Sequence, residues 1–343
     1  MKLSSQVMYS GNPVETLAQV EAMERAGLDT AWIAEAYSFD APTVMGYLAA
    51  KTERLEIGSG ILPIYSRTPT LTAMTAAGLD AVSGGRAILG LGASGPQVIE
   101  GWHGVPYDQP LARTREVIEI CRKVWRREVV EHKGIYNLPL PPGQGLGLGK
   151  PLKIINHPVR DRIPIWVAAL GDKNVEMTAE LADGWLPFLL YPERLDQVWG
   201  DALRAGKAKR APELGELQFT GGGVLALEPE FFDGARAFAR GVSSLYIGGM
   251  GARGKNFYNT VMQRYGYPDE AKLIQDLYLD KRKEEAAAAL PEEFIANSNL
   301  IGPPEFVRDR IAALRAAGVT HLHVTPIGSD PAKLLAQVKE WIS

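Results

Sequence analysis

The residues best placed to do chemistry are Gly171-Asp172-Lys173-Asn174, where a buried apolar run gives way to a helical pattern. The first N–H groups of a helix lack intrahelical partners and sit at the positive end of its dipole, which suits a phosphate. The same turn can also be an ordinary strand–helix junction with Asp172 as N-cap. Glu35 and Tyr37 close a second apolar run. There a carboxyl can exchange a proton and a phenol can donate a hydrogen bond, or Glu35 can serve as a helix cap or rim ion-pair partner. Gly58-Ser59-Gly60-Ile61 ends a third run, and its glycines permit close backbone approach. Trp102, in EGWHG, can wall a pocket or anchor its own loop.

Other motifs carry less. Gly90 to Gly95 spell G-x-G-x-x-G after a strand-like run. With no regular helix evident from Gly95, the segment reads as a flexible loop near a ligand rather than a dinucleotide fingerprint. GQGLGLGK at 143–150 misses the P-loop spacing: Gln144 stands five before Gly149, and Pro151 replaces the Ser/Thr. His321 and His323 have the i, i+2 spacing of a metal pair, yet His103, His132 and His157 lie apart in loop-like sequence without carboxylates around them. Packed strand histidines fit better than ligands, and no metal is expected. Cys121 falls among Val117, Ile118, Val124 and Trp125 at helical spacing and reads as a core thiol.

The elements that would position these residues alternate along the chain. Strand-like runs fall at 4–9, 30–35, 55–62, 86–91, 163–170, 185–189, 217–227 and 321–326. Helical patterns fall at 13–26, about 42–52, 69–82, 111–127 and 331–342. Such alternation implies parallel pairing and right-handed crossovers, and the count favours a (β/α)8 TIM barrel of the α/β class over an open sheet. An irregular excursion at 129–162 follows strand four, and a mostly helical insertion at about 228–303 follows strand seven. Residues 1–343 read as one elaborated domain, with the second insertion folding over the barrel mouth.

A 343-residue chain that is 46% hydrophobic and 22% charged has the composition of a globular protein with a sizeable core. Its formal net charge of −3 gives no reason to expect nucleic acid or a membrane surface as partner, and no apolar run is long enough for a transmembrane helix. One cysteine excludes an intramolecular disulfide, and MKLSSQVMYSG lacks a signal-peptide core, so a cytoplasmic location is expected.

Taken together, these residues resemble the bacterial luciferase-like flavin and deazaflavin oxidoreductases, which have (β/α)8 barrels. GLDTAWIAEAY is similar to that family's second strand, and LEIGSGILPIYSRTPTLTAMTAAGLDAVSGGRAILGLGAS to its third and fourth units. EGWHGVPYDQPLARTRE resembles the loop and helix that follow. WVAALGDKNVEMTAELADGW resembles the phosphate-site signature, commonly A-A-x-G-P-K before a helix ending A-D-G. The chain looks closest to the coenzyme F420-dependent branch, which includes methylenetetrahydromethanopterin reductase-like proteins.

That resemblance implies an 8-hydroxy-5-deazaflavin in the barrel mouth. Gly60 and Ile61 match a bulge, often with a non-prolyl cis peptide, that backs the ring. Gly92, Ala93 and Ser94 match the loop after strand four, and Leu170, Gly171, Asp172, Lys173 and Asn174 match the turn at the cofactor phosphate. Asp172 stands where Pro is common, so its charge opposes a phosphate unless it points away. Ala36 replaces a His that often follows the acidic residue, which leaves Glu35, Tyr37 or a substrate group to handle the proton.

The expected function is hydride transfer between coenzyme F420 and a small organic substrate, with Glu35 and Tyr37 as acid–base residues. Trp102 and Arg253 are expected at the substrate pocket, Lys173 at the phosphate, and Arg253 with Lys255 near an acidic cofactor tail or anionic substrate. The alternatives are an FMN-dependent luciferase-like monooxygenase and a non-catalytic flavin- or deazaflavin-binding protein. A metal-dependent barrel hydrolase is a third, and it would hold stoichiometric metal. The expected assembly is a homodimer.

Overall fold

Short apolar strands separated by helices leave each strand two neighbours and no edge if the sheet closes on itself, and it does. The computed structural model describes residues 1–7 and 12–343, Pro13 by its backbone alone; the last residues of the strand expected at 4–9, Met8 and Tyr9, lie outside the described residues. The strands are β1 (Lys2–Val7), β2 (Thr30–Ile33), β3 (Glu56–Ser59), β4 (Leu62–Pro63) and β5 (Ala87–Gly92). They continue with β6 (Ile165–Ala168), β7 (Gly184–Leu186), β8 (Gln218–Ala226), β9 (Leu300–Ile301) and β10 (His321–Pro326). Parallel pairing runs β10-β1-β2-β3-β5-β6-β7-β8 and returns from β8 to β10, closing an eight-stranded barrel. The two-residue strands β4 and β9 add to the C-terminal ends of β5 and β8. This is the (β/α)8 architecture.

The closed barrel removes the open-sheet dinucleotide reading of Gly90 to Gly95. One expectation there fails in detail: a helix does start after Gly95, the short Pro96–Gly101, with proline in its first turn where φ is already set for helix. The expected third strand at 55–62 is split by a cis peptide at Gly60–Ile61 into β3 and β4. The helix Leu195–Lys207 is absent from the sequence reading, because a short 3-10 turn, Pro192–Arg194, runs straight into it without a side-chain cap. Where side-chain caps exist they are strong: Asp40 accepts from Thr43 N–H at 3.1 Å and Thr68 from Leu71 N–H at 3.2 Å.

The barrel interior is filled by two tryptophans. Trp32 on β2 and Trp166 on β6 lie 5.1 Å apart by ring centroid, and Trp166 meets the His321 ring edge-on at 4.8 Å. Glycines on the neighbouring strands make the room. A Cβ at Gly58 would lie 2.5 Å from Trp32 Cε3, and one at Gly184 would overlap the Trp166 indole. Large beside small is how a small barrel reaches interior density. His321 and His323 are packed strand histidines: their Nδ1 atoms lie 3.0 Å from Thr320 Oγ1 and 3.2 Å from Ser4 Oγ. Burial pushes them down to about 3 and about 4, so both are neutral near pH 7. No group of three or more metal-ligating side chains forms among the described residues.

Between β8 and β9 lie the helices Phe232–Ser244, a π-helical turn Leu245–Gly249, then Phe257–Arg264, Pro268–Leu279, Lys283–Ala288 and Glu292–Asn297. Among the described residues, no helix is long and apolar enough to cross a membrane.

Candidate active site

Strand direction gathers most of the expected residues on one face, the C-terminal ends of β2, β3, β5 and β6. The Gly60–Ile61 bulge lies between β3 and β4. Ser59 anchors it: its hydroxyl donates to Gly90 O at 2.8 Å and accepts from Gly90 N–H at 2.9 Å. Ile61 leans across Gly92, where a Cβ would meet Ile61 Cγ1 at 2.8 Å and Ala168 Cβ at 3.6 Å. Glycine at 92 is therefore what leaves room for the Ile61 side chain beside β5. Beyond Ala93, Ser94 adopts a left-handed φ of 59°, and its carbonyl accepts the Tyr107 hydroxyl at 3.4 Å. Tyr107 in turn packs on Tyr65, just past β4, at 5.2 Å.

The turn after β6 differs from the sequence expectation in its cap. Gly171 is the N-cap, without a side-chain hydrogen bond, and Asp172 is the first residue of the helix Asp172–Leu181. Asp172 turns outward, where its Oδ1 accepts from Arg264 Nη1 at 2.6 Å. The carboxylate that would oppose a phosphate is thus paired with a guanidinium from the insertion. Leu170 is fixed through its carbonyl, which accepts Trp199 Nε1–H at 2.8 Å. A Cβ on Gly171 would lie 3.3 Å from the Phe257 ring. Lys173 is exposed.

Asn174 Oδ1 is buried without a hydrogen-bond partner. A buried amide left unpaired costs free energy, and either end of it can face a ligand because its oxygen and nitrogen are nearly isosteric. With the unpartnered N–H groups of Asp172 and Lys173 expected of any helix start, the turn fits a phosphate-bearing group.

Glu35 is not an open acid–base position. Its side chain is 7% exposed, Arg67 holds both oxygens (Nη2 to Oε2 at 2.8 Å), and Oε2 also accepts Ala41 N–H at 2.9 Å. It anchors the helix Ala41–Lys51 to the segment after β4, which is the cap and ion-pair arrangement. Tyr37 and Trp102 do come together, with ring centroids 6.5 Å apart, but each is 66% exposed, so they form a rim rather than a pocket wall. Arg253 is not at the strand ends. Its Nε donates to Asp276 Oδ1 at 2.8 Å, and it lines a cavity of about 330 Å³ within the insertion, beside Asn256, Gln263 and Lys272. Lys255 is exposed nearby.

Residues 1–321 match the luciferase-like monooxygenase family. The chain belongs to that family. Within it, the chain is 42% identical over 346 aligned residues to a Mycobacterium tuberculosis protein assigned as a coenzyme F420-dependent oxidoreductase, covering 98% of each. It is 29% identical over 331 residues to 5,10-methylenetetrahydromethanopterin reductase of Archaeoglobus fulgidus, covering 94% of this chain and 93% of the relative. The structure of the coenzyme F420-dependent tetrahydromethanopterin reductase of Methanopyrus kandleri superposes with a TM-score of 0.81 at 23% identity, covering 99% and 97% of the two chains. That likeness bears on the barrel. Of these two relatives by sequence, the Mycobacterium tuberculosis protein carries the F420-dependent assignment in its name.

Sequence reasoning missed the aromatic side of this luciferase-like mouth. Phe188, just past β7, packs against Tyr246 at 4.2 Å and Tyr258 at 5.7 Å, and the two tyrosines are 4.9 Å apart. The density of aromatics in KNFYNTVMQRYGY could have pointed to Tyr258, but Phe188 and Tyr246 lie in other segments. Only the fold shows which of them face the strand ends.

Proposed function

We propose that the protein is a coenzyme F420-dependent oxidoreductase acting on a small organic substrate, with residues 1–343 working as one unit and the segment 228–303 covering the mouth. The observation that carries this reading is the turn after β6, an uncapped helix start with an orphaned buried Asn174 amide beside a neutralised Asp172. The full-length F420-dependent relatives support the same cofactor over FMN.

When bound, the deazaflavin supplies the hydride-donating and hydride-accepting chemistry. The chain's own residues bind and orient. The Gly60–Ile61 backbone and the Ile61 side chain would give one ring face a dry floor, and Gly92 keeps that floor free of a second side chain. Ala93, Ser94 and Leu170 would flank it. The N–H groups of Asp172 and Lys173 and the Asn174 amide would hold the phosphate, while Arg264 keeps Asp172 turned away. Glu35 and Arg67 set the rim, and Tyr37 remains the exposed phenol on that side.

Anaerobic mixing of the protein with reduced F420 and a panel of carbonyl, imine and activated-alkene substrates tests the reading. Recovery of the oxidised cofactor's fluorescence with one member of the panel is the expected result. Oxygen uptake in step with turnover, supported by reduced FMN and not by F420, would replace it with a monooxygenase.

A further inference from the structure

The insertion spends several buried groups on holding two tyrosines over the barrel. Tyr246 sits in the π-helical turn Leu245–Gly249, a conformation found mostly as short interruptions at functional sites. Asn256 and Asn259, 3% and 5% exposed, clamp that turn. Asn256 donates to Tyr246 O at 2.9 Å and Ile247 O at 3.0 Å, and Asn259 donates to Ile247 O at 3.1 Å and Ala271 O at 2.7 Å. Asn256 also caps the helix Phe257–Arg264, which carries Tyr258.

Two contacts put this assembly at the mouth. Phe257 packs over Gly171 after β6, and Phe188 after β7 meets both tyrosines. The Tyr258 hydroxyl has no hydrogen-bond partner among the described residues. Burial first, and then the Tyr246 and Tyr107 phenols, push its pKa up, so it stays protonated and can donate a hydrogen bond.

We propose that Phe188, Tyr246 and Tyr258 form the substrate-side wall of the mouth and select an uncharged ligand with a flat apolar body and one carbonyl- or imine-type acceptor, met by the Tyr258 hydroxyl. The inference deepens the proposed F420 reading and rests on it for where the reacting partner sits. Stacked rings and one neutral hydroxyl suit a flat apolar body carrying one acceptor. The arginines of the surrounding segments are already committed: Arg253 to Asp276, Arg264 to Asp172, Arg113 to Asp108 and Arg67 to Glu35.

Saturation-transfer NMR titrations of acetophenone, benzoate and glycerol 3-phosphate, with and without F420, test this independently of turnover. Acetophenone should bind at least about tenfold tighter than either anion, and Tyr258→Phe should weaken it about fivefold, the size of one lost hydrogen bond. Phe188→Ala should weaken it further, while F420 affinity, read by fluorescence in the same samples, stays within about twofold for Tyr258→Phe. Equal binding of benzoate, or unchanged acetophenone affinity in Tyr258→Phe, overturns the proposal. F420 binding without any acetophenone binding sinks the wall alone. Acetophenone binding without F420 binding sinks the cofactor reading and leaves the wall standing.

Discussion

The two ends of the barrel use polar groups in opposite ways. At the N-terminal end the buried Glu24 and Asp80 and the half-buried Arg86 are held by several partners each. Glu24 accepts the N–H groups of Arg54 at 2.7 Å, Leu55 at 2.8 Å and Glu53 at 3.0 Å. Burial alone would push its carboxyl up, but those donors hold it below the ordinary range. Arg86 donates to Leu55 O, Ala49 O, Thr52 O, Ser83 O and Thr52 Oγ1. Asp80, fully buried, is held by Arg160 and accepts Ala87 N–H at 3.3 Å. At the C-terminal end the Asn174 amide oxygen is buried without a partner, and the helix Asp172–Leu181 starts without a side-chain cap. Satisfied polar groups stabilise a fold, and an unpaired one beside an uncapped helix start can serve a ligand. The difference assigns stability to one end and binding to the other.

The sharpest way to break that division is to exchange its consequences. Asp80→Ala should cost about 2–3 kcal/mol, because it empties a buried site and leaves the Ala87 N–H without its acceptor, while Arg160 keeps Ala87 O. Urea denaturation measures it, and the folded fraction should bind F420 as before. The histidines should show next. Their folded values of about 3 and about 4 lie below the ordinary 6.5, so the unfolded chain takes up protons first as pH falls. Stability is full above pH 6.5 and should fall below it, by about 1.4 kcal/mol per pH unit for each histidine. His321→Asn should flatten the slope in a pH series of denaturation curves.

Smaller effects belong to the mouth. Gly92→Ala pushes against Ile61 and should weaken F420 binding about tenfold with little change in stability, as fluorescence titration and denaturation together would show. Asn174→Ala removes an atom with no protein partner. It should leave stability within about 0.5 kcal/mol and weaken F420 binding about fivefold. If Asn174→Ala instead destabilised the fold and spared binding, the two ends would not differ as described.

Most of the barrel was legible because its strands are apolar runs at regular spacing and its helices begin at Pro, Thr or Asp. The turn at 171–174 and the bulge at Gly60–Ile61 were legible through family likeness, and both follow the C-terminal ends of strands, β6 and β3. Side-chain commitments were not. Whether Glu35 is an acid or an anchor depends on Arg67, which is 32 residues away in sequence. Whether Arg253 is free depends on Asp276, and whether Asp172 opposes an anion depends on Arg264. The Trp32–Trp166 plug was hidden for the same reason, since Gly58 and Gly184 matter only once the strands are side by side. Sequence shows which groups a chain owns, and the fold decides which are already paired.

The central claim is that the mouth is built for a deazaflavin. Titrating the purified protein with oxidised F420 by fluorescence, with FMN in parallel, tests it most directly. Saturable F420 binding much tighter than FMN, weakened in Asn174→Ala, is the predicted result. Preference for FMN, or no binding of either, would contradict it.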